Sequence, residues 1–483
     1  MPLSRPLRLV IPFLLLIFRS PAAAPYTLLT HEQLIDLTWQ DSIVPLLLSR
    51  YPNLTPADLR RARAYAYGGC VIQDMGYYPF GDRFFSNLTH YVRSGDFVVN
   101  LFRNAHNADE LAFAVGALSH YVGDSIGHSE ATNLAVPVEF PKLRARDGPV
   151  VSYAEGEHQH VRTEFAFDIE EIAHHRIAPL AYKRHIGLKV PVHQLSLAFY
   201  QTYGLTDFGG HSRRRLNVRQ FRFAFNVREY RFAVHTFIPR IAYAVTVLHR
   251  RKEPPEPLTP DAAEVEKEAV DTAALDNWSV YRRHAGLETY ALAVLIFILP
   301  KVGPLSLVAV KGPTEATDVD YMHSVVRSTD TLREILARFT PPAHVHPPAP
   351  AALDSHARPS APLPMSAQPG DGSDLLSGSR DPLHPLPNRD LDTGYVVKPG
   401  GYSLTDSTFA KLLHRLTRQP GQPIPPGIKI AIQSYYANPD APITTKKNPK
   451  RWAQAQADLR TLAAMPTSRE PEPYPTYARP AAE

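Results

Sequence analysis

Apolar positions recur at helical spacing along most of the first 340 residues, while the strict alternation that marks half-buried strands is sparse. Between Glu32 and Leu48 the stripe runs Leu34, Ile35, Leu37, Trp39, Ile43, Leu46 and Leu47, with Thr30 placed as the N-cap. Asn53-Leu-Thr-Pro56 opens a helix over 57–66, since proline suits the first helical position. Helical spacing also predicts segments 109–128, 155–173, 192–203, 230–250, 260–271 and 317–339. Leu287 to Leu299 is strongly apolar, but its 13 residues are short for a bilayer and Lys301 interrupts any extension, so a buried core helix is expected. The pattern predicts an all-α chain built as an up-and-down multi-helix bundle.

The pattern changes at both ends. Residues 1–24 read as a secretory signal peptide: Arg5 and Arg8 precede the apolar run Leu9 to Phe18, and Ala22-Ala-Ala24 offers small residues for cleavage. Export to the periplasm or beyond the cell is the expected localisation. Residues 25–340 form the helical domain. Residues 341–387 mix proline with Ala, Ser and Gly and hold few large hydrophobes, so they read as a disordered linker. A small module follows over 388–465, with Asp392-Thr-Gly-Tyr395 leading to a helix at 406–416 and a strand at 428–435, hence an α/β or mixed segment. The tail 466–483 is expected to be disordered.

Composition adds two points. A single cysteine, Cys70, excludes an internal disulfide framework and is read as a small buried hydrophobe. The net charge is +5, from 52 basic and 47 acidic residues, and part of it is local. Arg213, Arg214, Arg215, Arg219 and Arg222 alternate with Phe221 and Phe223, and Arg228 and Arg231 follow. This run is either a solvated helix face with core phenylalanines or a surface that meets phosphates or a membrane.

The chemistry concentrates in His120-Tyr-Val-Gly-Asp124-Ser-Ile-Gly-His128. Positions i, i+4 and i+8 stack along one helix face. That face is either solvated or a row of metal ligands. Imidazole and carboxylate are donors that zinc accepts, and two turns exceed the reach of one tetrahedral ion, so more than one metal would share Asp124. Gly123 and Gly127 keep the face open to close approach. Other donors flank the segment: His160 and Glu164 stand one turn apart, Asp74 lies beside turn formers, His90 follows, and His31 opens the first amphipathic stretch.

The ordered series His31, Asp74, His90, His120-x3-Asp124, His128, His160-x3-Glu164 resembles the zinc-dependent phospholipase C family, which is related in fold to the S1/P1 nucleases. The short Asp124-x3-His128 gap is more similar to the amino-terminal domain of glycosylphosphatidylinositol-specific phospholipase D than to the bacillus-type enzymes. No Trp precedes His31, unlike in the bacterial toxins.

The resemblance implies an all-helical domain with two to three zinc ions. Asp74, His90, His120 and Asp124 would hold one, and His128, His160 and Glu164 the second. Asp124 would bridge to a third, shared with His31 and the mature amino terminus. It further implies phosphodiester hydrolysis by activated water, with Asp74 as catalytic residue and Tyr77 and Tyr78 lining the cleft. Phospholipid is the expected substrate, with contact to a membrane surface. A nuclease using Phe84, Phe85 or Tyr91 to stack bases, and a metal-stabilised binding protein without turnover, are the alternatives. No protein partner is expected.

Overall fold

The computed structural model describes residues 28–77, 81–205, 238–249, 278–281, 286–298, 312–339 and 385–469. The signal segment 1–24, the arginine–aromatic run, the helix expected at 260–271, most of the linker and the end of the tail lie outside the described residues. Among these residues there are helices and two isolated bridges, Arg389 with Val396 and Ile424 with Thr467, but no strand. The all-α class is therefore observed.

The bundle is organised around α6 (Ala108–Gly127), reached through α1 (Leu28–Thr38), α2 (Val44–Arg50), α3 (Pro56–Gly69), α4 (Arg83–Tyr91) and α5 (Ser94–Arg103). Asn107 caps α6 by accepting from the Glu110 N–H, and every residue from Leu111 to Gly127 is buried. A helix without a solvent face needs neighbours all round. These are α1, α3, α5 and, from late in the chain, α14. α3 begins at a capping box in which Thr55 and Asp58 satisfy each other's backbone N–H groups, with Pro56 at the first position. α3 then lies unusually close to α6. A Cβ on Gly116 would sit 2.1 Å from the Ala66 carbonyl oxygen, and one on Gly69 would sit 2.0 Å from that of Phe113.

Beyond α6 come α7 (Asn133–Glu139), α8 (Pro141–Asp147), α9 (Tyr153–Ala173), α10 (Leu180–Ile186) and α11 (Val192–Tyr203). The described parts of the remainder are α12 (Ile238–His249), α13 (Leu287–Ile298), α14 (Glu315–Phe339), α15 (Ser403–Thr417), α16 (Pro426–Tyr435) and α17 (Pro449–Ala464).

Four expectations need correction. Thr30 does not cap α1, which has already started at Leu28; Asp168 of α9 does so, accepting from the Leu29 and Thr30 N–H groups at 3.3 and 3.2 Å. The helix expected over 32–48 is broken by a π segment, Trp39–Ile43, because Pro45 carries no N–H and crowds the carbonyl four residues back. The strand expected at 428–435 is helix α16. Ile428, Lys429, Ile430, Ala431, Ile432 and Gln433 imitate strand alternation, yet the buried positions are Ile428, Ile432 and Tyr435, a helical spacing, and Ile430 is exposed. Finally, α13 is not enclosed. Ala293 and Ile296 are buried, but Leu287, Tyr290, Val294, Phe297 and Ile298 are exposed, since α12 covers one face only. No helix among the described residues is long and apolar enough to cross a membrane.

The carboxyl-terminal segment is thus helical, not mixed, and it joins the main core. Phe409, Leu412, Leu413, Ile428 and Leu462 share one apolar cluster with Phe85, Phe199 and Tyr203. Leu386, within the expected linker, is buried, and in the expected tail Pro466 and Ser468 exchange backbone hydrogen bonds with Ile424. Cys70 is fully buried, and burial pushes its thiol well up.

The α3–α6 contact makes a test of this packing. Gly116→Ala should lower unfolding stability by about 1–3 kcal/mol in chemical denaturation, because backbone rather than a flexible side chain must yield. Gly421→Ala, with open space around it, should leave the midpoint unchanged.

Candidate metal centre

α6 carries His120 and Asp124, and its ladder then widens into a π turn, His128–Thr132, where the Asn133 N–H reaches back to the His128 carbonyl. His128 stands at that junction. α9 supplies His160 and Glu164, the 3₁₀ turn Gln73–Tyr77 supplies Asp74, α4 supplies His90, and α1 brings His31 across the bare surface of Gly123. A Cβ on Gly123 would lie 2.8 Å from Leu34 Cδ1 and 3.5 Å from His31 Nδ1, so the glycine permits this approach.

The position of α1 is fixed at both its ends. Its amino end is held by Asp168. Further along, Asp36 meets Arg63 Nη2 at 2.6 Å and Lys183 Nζ at 3.2 Å, Lys183 also meets Glu32 at 3.0 Å, and the Tyr67 hydroxyl donates to Asp36. Removing one member would leave a buried charge uncompensated.

The structure brings all the expected donors together, each no more than 2 % exposed. Seven of them form two groups, Asp74 with His90, His120 and Asp124, and His128 with His160 and Glu164; within each, one donor atom per residue lies within 4.8 Å of the others. His90 Nε2 is 3.2 Å from Asp74 Oδ1 and 3.3 Å from Asp124 Oδ2, and His120 Nε2 is 3.0 Å from the latter. In the second group Glu164 Oε1 lies 3.1 Å from His128 Nε2 and 2.9 Å from His160 Nε2. Asp124 stands between them, its Oδ1 being 3.7 Å from His128 Nε2 and 3.3 Å from His31 Nε2. His31 Nε2 is also 3.8 Å from Asp74 Oδ2.

The hydrogen bonds on the far side of the rings decide what this cluster can accept. His90 Nδ1 faces the Ser86 carbonyl at 2.7 Å, His120 Nδ1 the Cys70 carbonyl at 2.9 Å, and His128 Nδ1 the Leu391 carbonyl at 3.1 Å. A carbonyl only accepts, so each Nδ1 donates, and Nε2 is left as the nitrogen that presents a lone pair inward whenever the ring is neutral. The Nε2 atoms of His90 and His120 face each other 3.4 Å apart. No backbone N–H or hydroxyl satisfies Asp74 Oδ1 or either Asp124 oxygen. Converging lone pairs on nitrogen and carboxylate oxygen fit a divalent cation such as zinc.

The electrostatics agree. Burial by itself raises the Asp124 carboxyl, but the imidazoles of His120 and His128 hold it well below the usual carboxylate range. Burial lifts Asp74, and lifts Glu164 to about 8. Burial also disfavours charge on the histidines, taking His160 down to about 4, yet Asp124 and Asp74 drive His90 up to about 10. Groups of one kind shifted in opposite directions describe a cluster short of positive charge.

The aromatic residues near the donors are buried. Phe84, Phe85 and Tyr91 are buried, with Phe85 stacked on Phe199, so they present no surface for stacking bases. Tyr77 is buried, its ring tilted against His90 and its hydroxyl donating to Asn87 at 3.0 Å; Tyr78 lies outside the described residues. The sequence also gave no hint that Asp392 reaches the site, where its Oδ1 lies 3.8 Å from His128 Nδ1. The only local signal was the acidic turn Asp390-Leu-Asp392-Thr-Gly394.

Residues 30–212 match the family model described as zinc dependent phospholipase C, a family of phosphoric diester hydrolases. The matched segment contains every donor described above. No curated protein and no solved structure matches the chain.

The shared position of Asp124 sets an expected order of effects. After dialysis, Glu164→Gln should lower bound zinc by about one equivalent, whereas Asp124→Asn should lower it further because both groups lose a neighbour. Elemental analysis of the purified variants reads this directly.

Proposed function

We propose that the protein is an exported zinc-dependent phosphodiesterase that hydrolyses phospholipids in the manner of a phospholipase C. The observation that carries this reading is the pair of buried donor groups joined at Asp124, within the segment that matches the family. Asp74, His90, His120 and Asp124 would hold one ion, and His128, His160 and Glu164 another. The second group offers three protein donors, which leaves one position of a tetrahedral shell for water or substrate. His31 faces Asp124 and Asp74 and would hold a third ion with the amino terminus freed by cleavage near Ala22 to Ala24.

Bound zinc would supply Lewis acidity for the phosphodiester and favour deprotonation of water at neutral pH. The protein's own residues supply geometry. Asp74 faces two imidazoles, with Oδ1 3.2 Å from His90 Nε2 and Oδ2 3.8 Å from His31 Nε2, and by resemblance to the family it would orient the attacking water. The carbonyls of Ser86, Cys70 and Leu391 keep three imidazoles in one tautomer and orientation, which removes reorganisation from the reaction. The burial of Phe84, Phe85 and Tyr91 in the core counts against the nuclease alternative.

Phosphatidylcholine vesicles, bis-p-nitrophenyl phosphate and single-stranded DNA assayed side by side rank the substrates. The expected result is release of the phosphorylated head group from lipid, lost on chelation and reduced on the order of 1000-fold in Asp124→Asn, equivalent to several kcal/mol of transition-state stabilisation. Zinc-loaded protein that turns over none of the three would sink the enzymatic reading. Faster cleavage of DNA than of lipid would replace it with the nuclease.

A further inference from the structure

The carboxyl-terminal segment reaches the metal groups through one loop. Asp390 forms a turn in which its Oδ1 accepts from the Asp392 and Thr393 N–H groups, at 3.1 and 3.2 Å. Gly394 closes the turn at φ +73°, and a Cβ there would lie 2.4 Å from the Ser125 carbonyl oxygen of α6, so only glycine lets the loop sit this close. Leu391 joins both metal groups through its backbone: its N–H donates to the His90 carbonyl at 3.1 Å, and its own carbonyl accepts from His128 Nδ1.

Asp392 is anchored from the other side. Its Oδ2 accepts from the hydroxyls of Tyr91 at 2.9 Å and Tyr402 at 2.6 Å, and its carbonyl accepts from Asn133 Nδ2 at 2.7 Å. The remaining oxygen, Oδ1, is buried, makes no hydrogen bond, and lies 3.8 Å from His128 Nδ1. A carboxylate behind an imidazole raises its basicity toward a metal on the opposite nitrogen.

We propose that Asp392 is a positioning residue for His128, and that the loop around it makes the carboxyl-terminal segment part of the metal centre. Tyr91 and Tyr402 hold the carboxylate, the Leu391 carbonyl holds the imidazole, and the Asp392 charge 3.8 Å behind Nδ1 acts on the ring through space, with His128 Nε2 directed at Glu164. The inference rests on the reading of His128 as a metal ligand and extends that site beyond the segment that defines the family.

The test uses the full chain, with zinc alone as the probe. Competition with a chromophoric chelator measures each zinc equivalent, and cobalt substitution reports the ligand field of the second group. Asp392→Asn, which keeps an acceptor for the tyrosine hydroxyls, should weaken one equivalent about 10- to 100-fold and alter the cobalt spectrum, leaving the other equivalent unchanged. Tyr402→Phe should shift the same equivalent in the same direction by less, and it decides the matter if Asp392→Asn does not fold. Unchanged affinities in both variants, or equal weakening of both equivalents, would overturn the proposal. His128→Ala is the separate control: if it keeps every equivalent, His128 is not a ligand, and that failure belongs to the underlying reading instead.

Discussion

A carboxylate with no solvent contact, ringed by imidazole nitrogens, is the constraint around which this molecule is arranged. Asp124 is fully buried and its oxygens meet Nε2 atoms of His31, His90, His120 and His128 at 3.0–3.7 Å. An ionised group in such a place is tolerated only with compensating charge and ordered partners. Those partners come from α1, α4, α6 and the π turn that follows α6, so the elements that deliver them cannot move independently. Gly123 lets α1 approach and Gly116 lets α3 approach, on the same helix that carries Asp124. Close packing of α6 and the assembly of the donor cluster are therefore one requirement.

A second set of buried charges supports the first. Asp36, Glu32, Arg63 and Lys183 tie α1 to α3 and α10, and Asp168 ties its first turn to α9. Replacing such a network by hydrophobes could leave stability unharmed, but a hydrophobic seam would not define one rotation of α1. The rotation matters because His31 lies in its first turn.

The donor series was legible in the sequence because a helical period converts spacing into direction. His120, Asp124 and His128, like His160 and Glu164, point inward for that reason alone. What escaped reading depends on partners far along the chain. Asp168 caps α1 from 138 residues away and so displaced the local N-cap expected at Thr30. The run Ile428 to Gln433 satisfies a period of two as well as a helical period, and burial of Ile432 and Tyr435 against the main core decided between them. Short apolar runs carry that ambiguity in general. Asp392 had no periodicity around it, and only its place beside His128 gives it meaning.

The bond between His128 and Leu391 spans 263 positions. Synthesis runs from the amino end, so every candidate ligand through Glu164 leaves the ribosome long before the loop that braces His128 exists. The apolar cluster under the site is completed just as late, by Phe409, Leu412 and Ile428. The nascent chain thus passes through a long interval in which all the candidate donors exist without their final enclosure. Synthesis of the donors and completion of the enclosure around them are separable events in time, ordered by the position of residues 385–402 after every donor in the sequence.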